Sequence, residues 1–163
     1  MPETPSPPRS IGRSILAVFA GGAAATIIML LIQNVGINLF PPPADLLPDL
    51  SSPDKAVKEA AYRKLILMAP TGALLCVLFS YLTGTLTAGW ITARLAPRRP
   101  LMHAAMIGAC LLGGGVLNFS LLPHPTWMVV IGVAIFMPAA LLGGWLASRH
   151  SPKKTVASDT GSD

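Results

Sequence analysis

The placement of charged residues most constrains what this chain can fold into. None of the 12 Lys and Arg or 7 Asp and Glu residues falls within 14–44, 65–93 or 100–148. Each charge-free stretch exceeds the ~20 apolar residues that a helix needs to cross a bilayer. The chain is also only 12% charged, against about 25% for a soluble domain. The sequence therefore predicts an all-α integral membrane protein rather than a soluble domain.

Four spans are predicted in these stretches, at about 14–40, 70–93, 101–122 and 126–147. A signal peptide is the alternative for the first stretch, but its apolar residues continue beyond the ~7–15 of a signal core. The connections LAPRRP and PHP are short, so spans two and three, and spans three and four, should pack as antiparallel hairpins. The prediction is a four-helix bundle over 14–147, with tails at 1–13 and 148–163 and a loop at 41–69.

The distribution of basic residues predicts the orientation of the spans. One set of span ends carries eight Lys and Arg residues, while the 41–69 loop carries four that are offset by four acidic residues. The positive-inside rule then places both termini in the cytoplasm, and the loop and the PHP turn outside, in the periplasm if the cell is Gram-negative. The eight are Arg9, Arg13, Arg94, Arg98, Arg99, Arg149, Lys153 and Lys154.

The stretch GWITARLAPRR at 89–99 is echoed by GWLASRHSPKK at 144–154, and Pro-Thr recurs at the same offset, at 70–71 and 125–126. Tryptophan settles at headgroup level, and arginine one turn further on can reach water. Duplication of a two-span hairpin, giving a parallel repeat, and convergence on the same anchor chemistry both explain this echo. The predicted interface anchors are Trp90, Arg94, Trp127, Trp145 and Arg149.

Small residues recur at every fourth position of span two and predict a helix-packing ridge. Because lipid is as apolar as leucine, spans associate through close approach at such residues. The ridge serves either packing within one chain or a homodimer interface. Shorter small-residue runs occur in span three (Ala105, Ala109, Gly113) and in span four around Gly143, and Pro138 should kink span four. The ridge residues are Gly72, Cys76, Ser80, Gly84, Ala88 and Thr92.

The loop after span one begins with a proline run and contains a predicted helix over about 53–68. Ser52 is the expected N-cap and Pro53 the first helical residue. This helix should rest at the membrane interface or act as a lid, with a partner-binding role as the alternative.

Residues for catalysis or metal binding do not converge in this sequence. Ionisable residues inside spans are the usual indicators of transport or catalysis, and the predicted span cores contain none. His124 lies at the opposite membrane face from His103 and His150, and His103 should be hydrated at the interface. Two cysteines make no disulfide framework. We therefore expect no enzymatic activity, no cofactor, no metal and no nucleic-acid partner.

Four amide side chains near the outer ends of spans one and three form the one candidate polar cluster: Gln33, Asn34, Asn38 and Asn118. Amides in lipid need hydrogen-bond partners, so an interhelical cluster is expected. It would hold the bundle together or, as the alternative, line a ligand pocket.

From LTAGWITARLAPRRP through LNFSLLPHPTW to PAALLGGWLASR, the chain resembles small four-span bacterial inner-membrane proteins of uncharacterised type, over roughly 70–150. The resemblance implies an architecture and no activity, cofactor or site residue. We expect a structural or interaction protein that acts through helix packing, as a homodimer or within a larger membrane complex. The alternatives are a transporter or channel subunit that works as an oligomer, and an accessory subunit of a larger complex.

Overall fold

A computed structural model describes residues 9–149, and all regular secondary structure in that range is helical. The all-α prediction is confirmed for these residues. Most of the two predicted tails, including His150 and the Lys153–Lys154 pair, lies outside the described range.

Within residues 9–149, four helices are long and apolar enough to cross a membrane. Their bounds differ from the predicted spans by at most two residues, except that the first helix begins five residues earlier. The second and fourth of these helices end two residues later than predicted, so Arg94 and Arg149 lie inside their last turns. In chain order the elements are α1 (Arg9–Leu39), a 3-10 turn (Ala44–Leu46), α2 (Leu47–Leu50), α3 (Lys55–Met68), α4 (Thr71–Leu95), α5 (Pro100–Leu121) and α6 (Thr126–Arg149).

Prolines set several of the helix ends. α1 ends at Leu39, just before the proline run at 41–43. Pro70 is the N-cap of α4, and Pro100 is the first residue of α5. At the first helical position the backbone N–H has no partner within the helix, so proline, which lacks this N–H, loses no hydrogen bond there. Pro138 lies within α6, which continues through it from Thr126 to Arg149.

Helix α4 lies at the centre of the bundle. α1 packs antiparallel along one of its faces, and α6 packs parallel along another. α5 packs antiparallel on α6, less extensively on α4 and only slightly on α1. The predicted α4–α5 and α5–α6 hairpins therefore form, but the two most extensive helix interfaces both belong to α4.

Positions 88 and 143, which immediately precede the two echoed stretches at the same 55-residue offset, occupy different interfaces. Ala88 of α4 lies against Gly21 of the antiparallel helix α1. Its counterpart 55 positions later, Gly143 of α6, lies against the Leu86 carbonyl of the parallel helix α4. The echo in sequence is therefore not accompanied by an echo in helix packing at these positions.

Helix α3 begins at Lys55, two residues later than predicted, and its N-cap is Asp54 rather than Ser52. The Asp54 carboxylate accepts a hydrogen bond from the Ala56 N–H at 2.8 Å, while the Ser52 hydroxyl accepts one from the Asp54 N–H at 3.2 Å. A carboxylate accepts a stronger hydrogen bond than a hydroxyl, and its negative charge also interacts favourably with the positive end of the helix dipole.

An arginine of α3 joins the loop to the end of α5. Arg63 donates from Nη2 to the Leu121 carbonyl at 3.0 Å and pairs with Glu59 at 2.9 Å. Leu121 is the last residue of α5, where carbonyls lack helical partners and the helix dipole is negative. The loop is thus held over the helix ends opposite to the arginine-rich ones.

Candidate functional site

The two ends of the bundle differ in charge. The basic end, defined by Arg13, Arg94, Arg98, Arg99 and Arg149, has no acidic residue among the described positions. The loop end contains residues 40–70 and the turn at 122–125, and it carries every Asp and Glu between residues 9 and 149.

The ridge on α4 is covered by α1 along its length. Thr92 donates from Oγ1 to the Ala17 carbonyl at 3.2 Å, and a Cβ added to Gly21 would overlap Thr92 Oγ1. A Cβ added to Gly84 would lie 3.1 Å from the Ala25 carbonyl oxygen. A second copy of the chain could therefore reach this ridge only by displacing α1. Ridge residues Gly72, Cys76, Ser80 and Ala88 lie against Phe40, Gly36, Gln33 and Gly21 respectively.

Two of the predicted amides bond to α4, on different faces of that helix. Gln33 of α1 donates from Nε2 to Ser80 Oγ at 3.2 Å, and Asn118 of α5 donates from Nδ2 to the Tyr81 hydroxyl at 3.2 Å. Ser80 and Tyr81 are consecutive, so their side chains point about 100° apart around the helix. Neighbouring acceptors on one helix thus hold the two amides in separate interfaces.

The other two predicted amides pair within α1. Asn38 donates from Nδ2 to the Asn34 carbonyl at 2.8 Å, and both side chains are exposed. The four amides therefore do not form a single cluster. The sequence indicated the polar character of these positions but not the acceptors on α4, since serine and tyrosine are also common in membrane helices without such a role.

One face of α5 is not covered by any other described helix, and its residues are small. We call Ala109, Cys110, Gly113 and Gly114 the open face; all four are exposed, and a Cβ added to either glycine would meet nothing within 4 Å. The opposite side of the same helix is filled, because a Cβ on Gly115 would lie 2.6 Å from the Phe136 ring. α5 thus presents small residues on two sides, only one of which is packed against another helix of the described chain.

The echoed Trp-Arg pairs make the same local contact at the basic end. The guanidinium carbon of Arg94 lies 5.2 Å from the Trp90 ring centroid, and that of Arg149 lies 3.7 Å from the Trp145 ring centroid. The four-residue spacing places cation and ring on one helix face, which permits a cation–π interaction. The remaining predicted anchor, Trp127, is half-exposed in the first turn of α6, at the loop end.

A groove of about 640 Å³ lies at the basic end between α1 and the start of α5. Its walls are mainly apolar, including Ile15 and Val18 of α1 and Met106 of α5. Arg98 and Arg99, in the turn between α4 and α5, also line it. The sequence did not predict this groove, because it depends on the spacing between α1 and α5, which residue types do not determine.

The histidine of this groove is buried rather than hydrated as predicted. His103 is 5% exposed, and its Nδ1 lies 3.2 Å from the Arg99 carbonyl oxygen. The turn before α5 supplies that acceptor and so lets the imidazole pack inside the protein. At the loop end, His124 Nδ1 lies 2.9 Å from the Leu122 carbonyl. Within residues 9–149, no three His, Cys, Asp or Glu side chains are grouped to hold a metal ion.

In comparisons with known proteins, no protein-family model, no curated protein and no solved structure matches the chain.

Proposed function

We propose that the protein is a non-enzymatic, multi-pass protein of the cell inner membrane that acts through helix packing, two copies meeting at the open face of α5. Both termini face the cytoplasm in this proposal, and the loop end faces outward. The observation that carries it is the row of small residues on α5 that no other described helix covers, whereas the α4 ridge and Gly143 of α6 are packed against neighbouring helices.

The charge difference between the two ends supports the membrane orientation. Four apolar helices separate a basic end without acidic residues in the described range from a loop end where acids and bases are mixed. Cytoplasmic segments of membrane proteins carry the excess of Lys and Arg. A reporter fused after Asp163 should therefore be active only in its cytoplasmic form, and activity outside the cell would overturn the orientation.

The kind of side chain exposed on each helix supports α5 as the contact surface. α1 presents large apolar side chains such as Ile27, Leu30 and Leu31, which suit contact with lipid tails. The open face of α5 instead permits close backbone approach, which is how helices associate in a bilayer. Two copies inserted in the same direction would bring the same face together about a two-fold axis.

Oxidative crosslinking in native membranes tests this proposal, because Cys110 lies on the open face. Mild oxidation should give a disulfide-linked dimer of the full-length protein, and Cys110→Ala should abolish it. Cys76→Ala is the matched control, since Cys76 lies under α1 and should contribute no dimer. A chain that stays monomeric in every variant would overturn self-association through α5, and a Cys110 adduct with a different protein would support the accessory-subunit alternative instead.

A further inference from the structure

We infer that the groove between α1 and the start of α5 binds the headgroup and upper acyl chains of one anionic phospholipid from the leaflet at the basic end. This site is separate from the open face of α5. It requires that the four helices cross a bilayer, and it does not require self-association.

The walls of the groove suit acyl chains. Ile15 and Phe19 of α1 and Met102 and Met106 of α5 line it. The groove ends where α1 and α5 meet, since a Cβ added to Gly22 would lie 3.7 Å from Ile107 Cδ1. From Arg99 to Ile107 the helix rises about 12 Å, which accommodates a glycerol backbone and the first methylenes of its chains.

The rim of the groove suits a phosphate group. Arg98 and Arg99 line it and are exposed, and within the described chain neither guanidinium has a carboxylate partner. Arg94 and Arg149, at the same end, are instead placed against the rings of their own tryptophans. Among the described residues, the groove therefore has two guanidinium groups without a carboxylate partner, and such groups bind phosphate oxygens in a bidentate geometry.

The start of α5, beside Arg99, leaves few backbone amides free to bind a phosphate. Arg99 has φ 50° and ψ 62°, a left-handed conformation that non-glycine residues rarely adopt. Its carbonyl accepts from the Met102 and His103 N–H groups at 3.1 and 3.3 Å, so the first turn of α5 has few free amides to offer. A phosphate at this position would be bound by guanidinium groups and not by the helix terminus.

The first test compares headgroups on the purified full-length protein in mild detergent. Native mass spectrometry would follow a titration with phosphatidylglycerol and, in parallel, with phosphatidylcholine of the same acyl chains. We expect one tightly held phosphatidylglycerol per chain, with apparent affinity at least about tenfold above that of phosphatidylcholine. Equal affinities would overturn the proposal, and so would displacement of the lipid by inorganic phosphate at millimolar concentration, because a free anion would then be the preferred occupant.

One pair of double variants distinguishes a specific lipid-binding site from general attraction between opposite charges. Arg98→Gln/Arg99→Gln and Arg94→Gln/Arg149→Gln each lower the formal net charge from +5 to +3. The first should weaken phosphatidylglycerol binding about tenfold more than the second. Equal losses would show charge attraction alone and overturn the site.

The second pair tests the apolar groove at constant charge. Ile15→Trp should fill the groove and reduce lipid occupancy, while Ile27→Trp, on an equally exposed part of α1, should not. Unaltered occupancy in a folded Ile15→Trp variant would overturn the placement. Occupancy is read from the monomer mass, so the result is independent of whether α5 forms a dimer.

Discussion

Two surfaces of this protein are built from small residues and have different structural roles. The α4 ridge repeats small residues every fourth position and is covered by α1. On the open face of α5, Cys110 is exposed, and within residues 9–149 no atom lies within 4 Å of a Cβ added to Gly113 or Gly114. Residues from α1 fill the ridge so closely that Gly21 has no room for a Cβ. Small residues therefore mark a surface for close approach, and the remaining structure decides whether the approaching helix comes from the same chain.

The largest expected effect is from adding a side chain where the ridge is filled. Gly21→Leu would force its Cβ into Thr92 Oγ1 and to 2.8 Å from the Ala88 carbonyl oxygen, which is backbone and cannot turn away. We expect a loss of about 3 kcal/mol in the free energy of unfolding, measured by detergent-denaturant titration. The same change on the open face, Gly113→Leu, meets open space and should leave folding unchanged or gain up to about 0.8 kcal/mol from helix propensity. Equal losses at both positions would remove the distinction between the two surfaces.

Much of this architecture could be predicted from the sequence because hydropathy and charge determine helix ends directly. The four spans and the spacing of the ridge from Gly72 to Thr92 follow from residue types alone. The covering helix could not be predicted, because α5 and α6 also offer small residues and lipid does not favour one pairing over another.

The finer site geometry depends on helix angles that residue spacing does not encode. The sequence predicts Gln33 and Asn118 in one polar cluster, but their acceptors on α4, the consecutive residues Ser80 and Tyr81, hold them in separate helix interfaces. The groove at the basic end lies between α1 and α5, which contact each other only slightly. The burial of His103 likewise depends on the unusual backbone at Arg99, which presents a carbonyl to the imidazole.

The second effect concerns association rather than folding. If two copies meet at the open face, Gly113→Leu should reduce the Cys110-linked dimer at least about tenfold, equivalent to about 1.4 kcal/mol. The measurement is the dimer fraction after oxidation in native membranes. Ile27→Phe adds bulk to an exposed position of α1 and is the control, with an expected dimer fraction like that of the unmodified chain. An undiminished dimer in Gly113→Leu would mean that the two cysteines meet without close packing of α5.

A smaller effect is expected from the hydrogen bond that crosses the ridge. Gln33→Leu removes the donor to Ser80 Oγ, while Ser80 keeps its own bond to the Val77 carbonyl at 2.7 Å. Interhelical bonds of this kind contribute about 0.6 kcal/mol on average and up to about 1.7. We expect a loss of roughly 1 kcal/mol in detergent-denaturant titration. Asn34→Leu, one position further and exposed, has no interhelical bond to lose and should be neutral; a loss as large as that of Gln33→Leu would indicate a general cost of removing amides from α1.

The smallest expected effect on the free energy of unfolding is that of a cysteine-to-alanine substitution, made once on the ridge and once on the open face. The Cys76 Cβ packs closely on Gly36 of α1, so Cys76→Ala removes only a sulfur, 3.9 Å from where a Gly36 Cβ would lie, and should cost about 0.5 kcal/mol of lost packing. Cys110→Ala removes a sulfur from an exposed side chain, and the free energy of unfolding should change by less than about 0.2 kcal/mol. Both substitutions have the same chemistry and the same gain in helix propensity. The informative quantity is therefore which of the two lowers the free energy of unfolding more. If Cys110→Ala proved the more costly change in monomeric protein, α5 would have a folding contact on this face, and the surface would be closed within the chain like the ridge.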